Sequence, residues 1–408
     1  MTAMKFFFAD NLDLIDPGFD FKHDEHSPNR RVQRDDVYPH EYFDTPPYDG
    51  ILVSRAIVGD EQWHGKYTTA QSLRFKREGA RAFLRYFPPG FGGAIMGDCG
   101  AFSYAKRDTP PYSIPETVNY YTECGFTHGV SIDHVILGYN EKLDYENNVP
   151  EDWQRRYDLT LQLAEVFWEY CQKHHVPFQP IGVAQGWSPG SYQKAVRQLM
   201  SIGYDYIAIG GMVPLRVLQI HHILEKVREV APPQIRLHLF GFTKADNIGE
   251  FVKYNIESFD STSPMLRAFK DGRRNYMSQG RWYTAIRVPS ADENRKFKEL
   301  ILAGIKEQRY LRELESASLS ALRAYDTGTA AIEQTLEAVV RYGLEFSPLV
   351  SKEEYRRTLT DRPWAKCPCR VCRESGIEVI IFRGSNRNRR RGFHNLYEFH
   401  RQFKNLPA

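Results

Sequence analysis

The sequence predicts an α/β fold, a (β/α)8 barrel that carries a helical insert and a small C-terminal subdomain. Between about residues 50 and 265, short apolar runs rich in β-branched residues alternate with amphipathic stretches of helical length, the pattern of βαβ units around a parallel sheet. Polar residues follow the ends of several of these runs, and the strand ends of a barrel converge on one mouth. With 408 residues, 42% of them hydrophobic, the chain can form a large core.

The individual elements can be assigned from these runs. Strands are predicted at residues 51–54, 93–96, 129–132, 180–184, 206–209, 236–240 and 258–260. Helices are predicted at residues 70–87, 116–124, 152–174, 190–201, 214–230 and 244–254. A doubly wound open sheet has the same alternation, and periodicity does not separate the two folds. The missing Gly-x-Gly-x-x-Gly motif and the polar strand ends favour the barrel.

The chain changes character after residue 290. Residues 291–346 are rich in Glu, Lys, Arg, Leu and Ala with helical periodicity, and the remainder contains a cysteine cluster followed by a basic stretch. The sequence therefore predicts a barrel over residues 1–290, a helical insert over 291–347 and a C-terminal subdomain over 348–408.

Composition limits the classes of partner. The 54 Lys and Arg residues against 51 Asp and Glu give a net charge of only +3, so any nucleic-acid surface must be local. The apolar run at residues 6–9 is too short for a signal peptide or a membrane span. The six cysteines are too few for a disulfide scaffold. We expect a cytoplasmic protein with no membrane partner.

A cysteine cluster predicts a metal site. Cys367, Cys369 and Cys372 lie within six residues, and His394 and His400 follow. Three thiolates and one imidazole satisfy the tetrahedral preference of Zn²⁺ in a closed structural site. We assign His394 as the fourth ligand, with His400 as the alternative. The sequence has no His-Glu-x-x-His motif and no Walker loop, so the predicted zinc is structural and not hydrolytic.

Two aspartates end predicted strands. Asp98 follows an apolar run and is flanked by glycines, and Asp260 closes the run at 258–260. Each alone is most simply interpreted as a turn residue or a helix cap. Two carboxylates at one mouth, however, are what glycosyl transfer requires, because one attacks the anomeric carbon while the other moves protons.

Further polar groups fall at other strand ends. Gln185 follows the strand at 180–184, and Gly210 and Gly211 follow the strand at 206–209. An amide, a carboxylate and exposed backbone N–H groups form a set of donors and acceptors suited to the edge of a purine.

In this order, these motifs resemble those of the tRNA-guanine transglycosylases, which are zinc-bearing (β/α)8 barrels that exchange guanine for a 7-deazaguanine. The resemblance covers roughly residues 90–400. The matching segments are 98–102, the strand-end Asp133, 182–186, 209–212, Phe259-Asp260, the Cys-x-Cys-x-x-Cys run and His394-Asn395-Leu396.

The resemblance implies a role for each matching position. Asp260 resembles the nucleophile, and Asp98 resembles the acid/base that contacts the exchanged base. The positions that resemble base-recognition groups are Asp133, Gln185, Gly210 and Gly211, with Met212 against the base. Those that resemble zinc ligands are Cys367, Cys369, Cys372 and His394.

Departures from the family pattern indicate a different nucleic acid. The usual Asp-Ser-Gly-Gly-Phe/Tyr-Gln reads Asp-Cys-Gly-Ala-Phe-Ser at 98–103, and Phe-Asp-Cys is replaced by Phe-Asp-Ser at 259–261. The chain is most similar to the branch that inserts 7-cyano-7-deazaguanine into DNA. This implies double-stranded DNA, the free base and other proteins of the modification system as partners. The alternatives are tRNA modification and a non-catalytic barrel that binds nucleic acid; retention of Asp98 and Asp260 argues against the latter.

The basic stretch predicts where nucleic acid binds. Residues 383–404 contain seven Arg and Lys residues against one Glu, with aromatic residues interleaved. The alternative is a solvated charge run, but the interleaved aromatic residues favour a surface that faces nucleic acid. We expect the nucleic-acid contacts to come from Arg387, Arg389, Arg390 and Arg391.

Overall fold

The computed structural model describes residues 4–59, 64–88, 93–145 and 148–406. The chain divides into two compact units. The first comprises Met1–Leu12, Asp44–Ser263 and Leu406–Ala408, and the second comprises Asp13–Phe43 and Pro264–Asn405. This division differs from the predicted boundaries at 290 and 347, because residues 13–43 and 264–290 group with the C-terminal part of the chain.

The first unit is a closed barrel. Among the described residues, eight parallel strands pair in sequential order, and the first pairs with the last. The strands are β1 Lys5–Ala9, β2 Gly50–Ser54, β3 Ala94–Asp98, β4 His128–Val130, β5 Gln179–Ala184, β6 Tyr206–Ile209, β7 Arg236–Leu239 and β8 Ser258–Asp260. The predicted (β/α)8 barrel is confirmed, and the pairing of β1 with β8 excludes the open sheet.

Strand β1 is absent from the sequence-based assignment. Its core, Phe6 to Phe8, is a buried apolar run that β2 and β8 flank. A parallel strand covered on both faces shows no alternation, so periodicity does not identify it. Phe7 also contributes to the barrel interior, which is filled by Phe7, Leu52, Met96, Val130, Ile181, Val183, Tyr206 and Ala208.

Helices connect most of the barrel strands. The α-helices of this unit are Arg55–Val58, Thr69–Glu78, Ala80–Leu84, Ile114–Glu123, Glu151–His174, Pro189–Ile202 and Val217–Arg228, and the 3₁₀ helices are Ala101–Tyr104, Glu141–Asp144 and Ala245–Tyr254. The single helix predicted at 70–87 is divided at Gly79, whose φ of +81° is incompatible with a continuing α-helix. The helix predicted at 244–254 is of the 3₁₀ type.

The second unit is mainly helical. Its α-helices are Pro39–Tyr42, Ser263–Lys270, Arg295–Leu302, Gln308–Asp326, Ile332–Phe346, Lys352–Asp361, Pro363–Lys366, Arg370–Ser375 and Ser385–Lys404, with a 3₁₀ helix at Gly376–Ile380. Helix Ser263–Lys270 begins at the last residue of the barrel unit. Two small sheets pair β9 Tyr276–Ser278 with β10 Arg281–Tyr283 and β11 Ile286–Arg287 with β12 Ile381–Phe382. None of the described helices is long and apolar enough to cross a membrane.

Candidate active site and metal centre

The polar residues predicted for the mouth lie at the carboxyl ends of barrel strands. Asp98 and Asp260 are the last residues of β3 and β8, and Gln185 and Gly210 directly follow β5 and β6. Asp133 lies three residues after β4. Because neighbouring parallel strands end at the same rim, the fold brings these groups to one face of the barrel.

The carboxylate of Asp260 is oriented through one of its two oxygens. Oδ1 accepts a hydrogen bond from the backbone N–H of Gly241 at 2.8 Å and lies 3.2 Å from Nε2 of His238. Oδ2 accepts no hydrogen bond from the residues that the structure describes. The carboxylate is therefore fixed by Oδ1, and Oδ2 is available for chemistry.

His238 is a site residue that the sequence analysis missed. Its ring is completely buried, its Nδ1 lies 2.6 Å from Oγ of Ser258, and that oxygen lies 2.6 Å from the hydroxyl of Tyr206. In the neutral imidazole, Nε2 donates to the Asp260 carboxylate, which only accepts, so Nδ1 accepts from Ser258 and Ser258 accepts from Tyr206. The sequence feature that could have identified this site residue is a histidine within the apolar strand β7.

Asp98 is a carboxyl group with a strongly shifted pKa. Burial, together with the negative charges of Asp260 and Asp133, raises its pKa to about 7, although a hydrogen bond from Ser54 opposes the shift. Its Oδ1 is shielded from solvent and has no hydrogen-bond partner among the described residues. The electrostatic coupling shows that the three carboxylates share one site, and a pKa near neutrality suits proton transfer in both directions.

Asp133 and Gln185 form a buried pair. The side-chain amide of Gln185 donates to Oδ2 of Asp133 at 2.7 Å, and the Cys99 thiol donates to Oδ1 at 3.4 Å. Burial raises the pKa of Asp133 to about 6, although both hydrogen bonds lower it. The amide oxygen of Gln185 accepts from the backbone N–H of Ile136 at 3.3 Å. Hydrogen bonds therefore fix both members of the pair: Cys99 contacts Asp133, and Ile136 contacts Gln185.

The glycines after β6 leave room for this pair. A Cβ atom at Gly210 would lie 2.2 Å from Nε2 of Gln185. Gly211 has a φ of +73°, and a Cβ there would lie 2.8 Å from the hydroxyl of Tyr192. That hydroxyl donates to the carbonyl of Gly210 at 2.9 Å. Any side chain at these positions would displace the polar groups, and Met212 beside them is fully buried.

The second unit contains a cluster that could hold a metal ion. The Sγ atoms of Cys367, Cys369 and Cys372 lie 3.6, 3.4 and 3.3 Å from Nδ1 of His394, and all four ligand atoms lie within 4.8 Å of one another. Tetrahedral Zn²⁺ with ordinary bond lengths would separate sulfur from nitrogen by about 3.6 Å. The four side chains are buried and match this geometry.

The surroundings of His394 favour ligation through Nδ1. Its Nε2 lies 2.5 Å from the carbonyl oxygen of Met277, which can only accept, so Nε2 carries the proton and Nδ1 presents a lone pair. The Tyr276 ring stacks on the imidazole at 4.0 Å and fixes its plane. His400 lies outside the cluster.

The predicted nucleic-acid contacts of helix Ser385–Lys404 need correction. Arg387, Arg390 and Arg391 are 1%, 2% and 0% exposed, which leaves no surface for a phosphate. Of the four, Arg389 is the one that is only half-buried, and it donates to the carbonyl of Leu14 at 3.2 Å.

The buried arginines are satisfied within the second unit. Arg387 donates to Glu378 at 2.7 Å and forms an ion pair with Asp24. Arg390 donates to the carbonyl of Asp16 at 2.8 Å, and Arg391 donates to the carbonyl of Ala268 at 3.1 Å. The charge run therefore links the helix to neighbouring segments, because carboxylates and free carbonyls compensate for the burial of guanidinium groups. Phe393 and Phe399 on the same helix are also buried.

Comparison with known proteins identifies the family. The chain is 44% identical over 403 residues to the DNA-guanine transglycosylase of Salmonella montevideo, and the match spans 97% of this chain and 95% of that protein. No family model matches the chain. Identity at this level over nearly the whole of both chains, with the predicted barrel present, confirms the resemblance stated from the motifs. The chain belongs to the DNA-guanine transglycosylase family.

Proposed function

We propose that this protein exchanges guanine in double-stranded DNA for free 7-cyano-7-deazaguanine through a covalent intermediate on Asp260. The observation that carries the proposal is the arrangement of the Asp260 carboxylate, in which Oδ1 is fixed by Gly241 and His238 and Oδ2 has no partner among the described residues. A nucleophile held in this way reaches its target without losing further orientational freedom. The kinship with a DNA-guanine transglycosylase supports DNA as the substrate.

The target guanine must first leave the duplex. A stacked and paired nucleotide does not present C1′ to a barrel mouth, so the nucleotide is extruded at a cost of roughly a few kcal/mol. Oδ2 of Asp260 then attacks C1′, and the bond between C1′ and N9 of guanine breaks. Guanine departs with the electron pair of that bond and with the proton of Asp98. The products of this step are a deoxyribosyl ester, neutral guanine and the Asp98 carboxylate.

The second step restores both carboxyl groups. The incoming base gives its N9 proton to Asp98, and N9 displaces Asp260 from C1′. The charges favour this order of proton transfers, because the negative charge of Asp260 is one cause of the raised pKa of Asp98. Esterification of Asp260 removes its negative charge, which promotes release of the proton from Asp98. When Asp260 is freed from the sugar, its negative charge returns and promotes uptake of a proton by Asp98. The exchange consumes no nucleoside triphosphate.

Base recognition in this proposal uses the groups between β4 and β6. The paired side chains of Asp133 and Gln185 offer carboxylate and amide atoms, and the glycine backbone at 210–211 allows close approach of a flat ring. Buried polar groups discriminate strongly, because a base that fails to satisfy them leaves them unpaired.

Zn²⁺ fits the donor set of three thiolates and one imidazole. In the proposed enzyme, Cys367, Cys369, Cys372 and His394 hold it, and the ion supplies a structural cross-link and takes no part in the exchange. The same residues connect helix Arg370–Ser375 with helix Ser385–Lys404 inside the second unit.

Nucleoside mass spectrometry tests the proposal. The full chain is expressed with the neighbouring genes of its modification system and supplied with 7-cyano-7-deazaguanine, and nucleosides from DNA and from tRNA are analysed separately. We expect a 7-deazaguanine deoxynucleoside that disappears with Asp260→Ala. Modified tRNA with unmodified DNA would instead identify a tRNA enzyme, and no modification of either would contradict base exchange.

A further inference from the structure

A groove in the second unit combines arginines with aromatic rings. It has a volume of about 500 Å³, and its lining includes Arg273, Arg274, Trp282, Tyr283 and Arg357. The groove lies beside the antiparallel pair formed by β9 and β10 and beside helix Lys352–Asp361, which contributes Arg357. It is therefore built from regular elements.

Several cations at the groove lack a close carboxylate. Lys270, Arg281 and Arg357 are exposed and form no ion pair within the part of the chain that the structure describes. Arg273 is 71% exposed, and its ion pair with Glu354 is long, at 3.9 Å. Exposed guanidinium groups without close carboxylates are available to an external anion. They contrast with the arginines of helix Ser385–Lys404, which the protein itself satisfies.

The aromatic rings orient two of the guanidinium groups. The guanidinium carbon of Arg267 lies 4.6 Å from the centre of the Trp282 ring, and that of Arg357 lies 5.0 Å from the centre of the Tyr283 ring. The Tyr283 hydroxyl donates to Asp361 at 3.0 Å, which fixes the ring. A guanidinium stacked on a ring makes that contact through its flat face, so the N–H edges of Arg357 remain available for bidentate contact with phosphate.

The balance of charge around the groove is positive. The charged residues that line the groove are the cations Arg273, Arg274 and Arg357 and the acidic side chains Asp271 and Glu354. Arg267 adds a further cation, stacked on the lining residue Trp282. Asp271 is used locally, because its Oδ1 accepts from the backbone N–H groups of Arg273 and Arg274 at 2.9 and 3.0 Å. The surface thus attracts a polyanion whose charges are spaced along a chain.

We propose that this arginine groove binds the backbone phosphates of the DNA substrate. The proposal rests on the proposed function for the choice of DNA. The proposed contacts are made to phosphate groups, so they do not depend on the DNA sequence.

Binding of a fluorescent DNA duplex by the full-length, metal-loaded protein tests the groove independently of catalysis. The variant combines Arg273→Gln, Arg281→Gln and Arg357→Gln. The matched control combines Arg295→Gln, Arg309→Gln and Arg312→Gln, which remove the same charge from side chains that are 93%, 89% and 58% exposed. Affinity is measured over a series of salt concentrations, and metal content and melting temperature verify the fold of both proteins.

We expect the groove variant to lose roughly tenfold or more in affinity, and the dependence of log K on log salt to flatten by about 1 for each phosphate contact removed. In exchange assays its KM for DNA rises while kcat at saturating DNA is retained. The control behaves like the wild type. Equal affinity and equal salt dependence in the two variants would overturn the proposal.

Two further outcomes separate the groove from the proposed function. If the wild type binds the duplex through the groove but exchanges no base in DNA, the proposed function fails and the groove stands as a DNA-binding surface. The wild type could instead bind tRNA more tightly than the DNA duplex at the same salt concentration, and the groove variant could lose that tRNA binding. The groove would then bind tRNA and not DNA, and the proposal would be overturned.

Discussion

Nε2 of His238 lies 3.2 Å from Oδ1 of Asp260, at the end of a buried hydrogen-bonded chain that begins at the Tyr206 hydroxyl. These hydrogen bonds determine which ring nitrogen of His238 carries the proton, and therefore how the imidazole presents its N–H to the Asp260 carboxylate. In our proposal His238 is a positioning residue, because it contacts the nucleophile on the oxygen that does not attack.

Replacing His238 should affect turnover more than binding. We expect His238→Phe, which keeps a ring but removes the donor, to lower kcat by roughly 10–100-fold with little change in KM for DNA, since misoriented nucleophiles react slowly. His238→Gln, which can donate from a similar position, should recover part of the loss. Steady-state kinetics of the two variants provide the measurement. Equal kcat values for His238→Phe and the wild type would refute the positioning role.

Asp260 should form a covalent bond to DNA. When the free base is withheld, the deoxyribosyl ester has no second substrate, and we expect a protein–DNA adduct on a denaturing gel with the wild type. Asp260→Ala should give no adduct and no exchange while retaining its metal and its melting temperature, because the side chain is at the mouth of an otherwise intact barrel. An adduct that persists in Asp260→Ala would assign the nucleophile to another residue.

Asp98 should make stability depend on pH. Its folded-state pKa of about 7 lies above the ordinary value of 3.8. Its stabilising contribution is therefore complete below the ordinary value and is lost as the pH rises through 7. Asp98→Asn cannot ionise, so we expect it to exceed the wild type by up to about 4 kcal/mol in unfolding free energy above pH 8, which is the size of the shift in pKa. This difference in unfolding free energy should shrink towards pH 4. The Asp98→Asn variant should also have no exchange activity. Denaturant titrations across this range measure the difference; a pH-independent difference would contradict the raised pKa.

Gly210 should control the position of Gln185. A Cβ atom there would lie 2.2 Å from the Gln185 amide nitrogen, which must then leave Asp133. We expect Gly210→Ala to raise the KM for the free base by roughly tenfold, because a buried recognition pair is broken. Gly272→Ala is the matched control, since nothing lies within 4 Å of a Cβ at that position. An unchanged KM in Gly210→Ala would argue against a recognition role for Gln185.

Loss of the metal should destabilise the protein without direct chemical consequence at the barrel mouth. We expect Cys369→Ser to lose bound zinc and to lower the melting temperature, because the ligands would no longer be cross-linked. Cys171→Ala, a buried cysteine outside the cluster, should keep the metal. Elemental analysis and calorimetry on both variants test this. Stoichiometric zinc in Cys369→Ser would exclude this residue as a ligand.

Much of the barrel was predictable because its periodicity is local. The alternation of apolar runs and amphipathic helices located β2 to β8, and the polar residues that end those strands marked the mouth. The run at Phe6 to Phe8 was not recognised, since a strand buried on both faces lacks the alternation that separates strand from other apolar segments. His238 was missed for a different reason: its strand was predicted, but its role depends on contacts with Ser258 and Asp260, about twenty residues away in sequence.

The basic helix shows where charge patterns mislead. A run of arginines predicts a positive face only if the side chains reach solvent. The sequence does not show which carboxylates and carbonyl groups will pair with these arginines in the folded protein. For Arg387 and Arg390 the partners are about 360 residues earlier in the chain, at Asp24 and Asp16. The exposed arginines at 273, 281 and 357 form no run, so composition gave no indication of them.

The same long-range contacts constrain the order in which parts of the protein fold as the chain is synthesised. Asp16 and Asp24 are synthesised 359 to 374 residues before the arginines they contact, which are Arg383, Arg387 and Arg390. Strand β1, equally early, pairs with β8 from the middle of the chain. Asp16 and Asp24 therefore wait for these partners until helix Ser385–Lys404 has been synthesised, and the second unit can be completed only after that helix has formed.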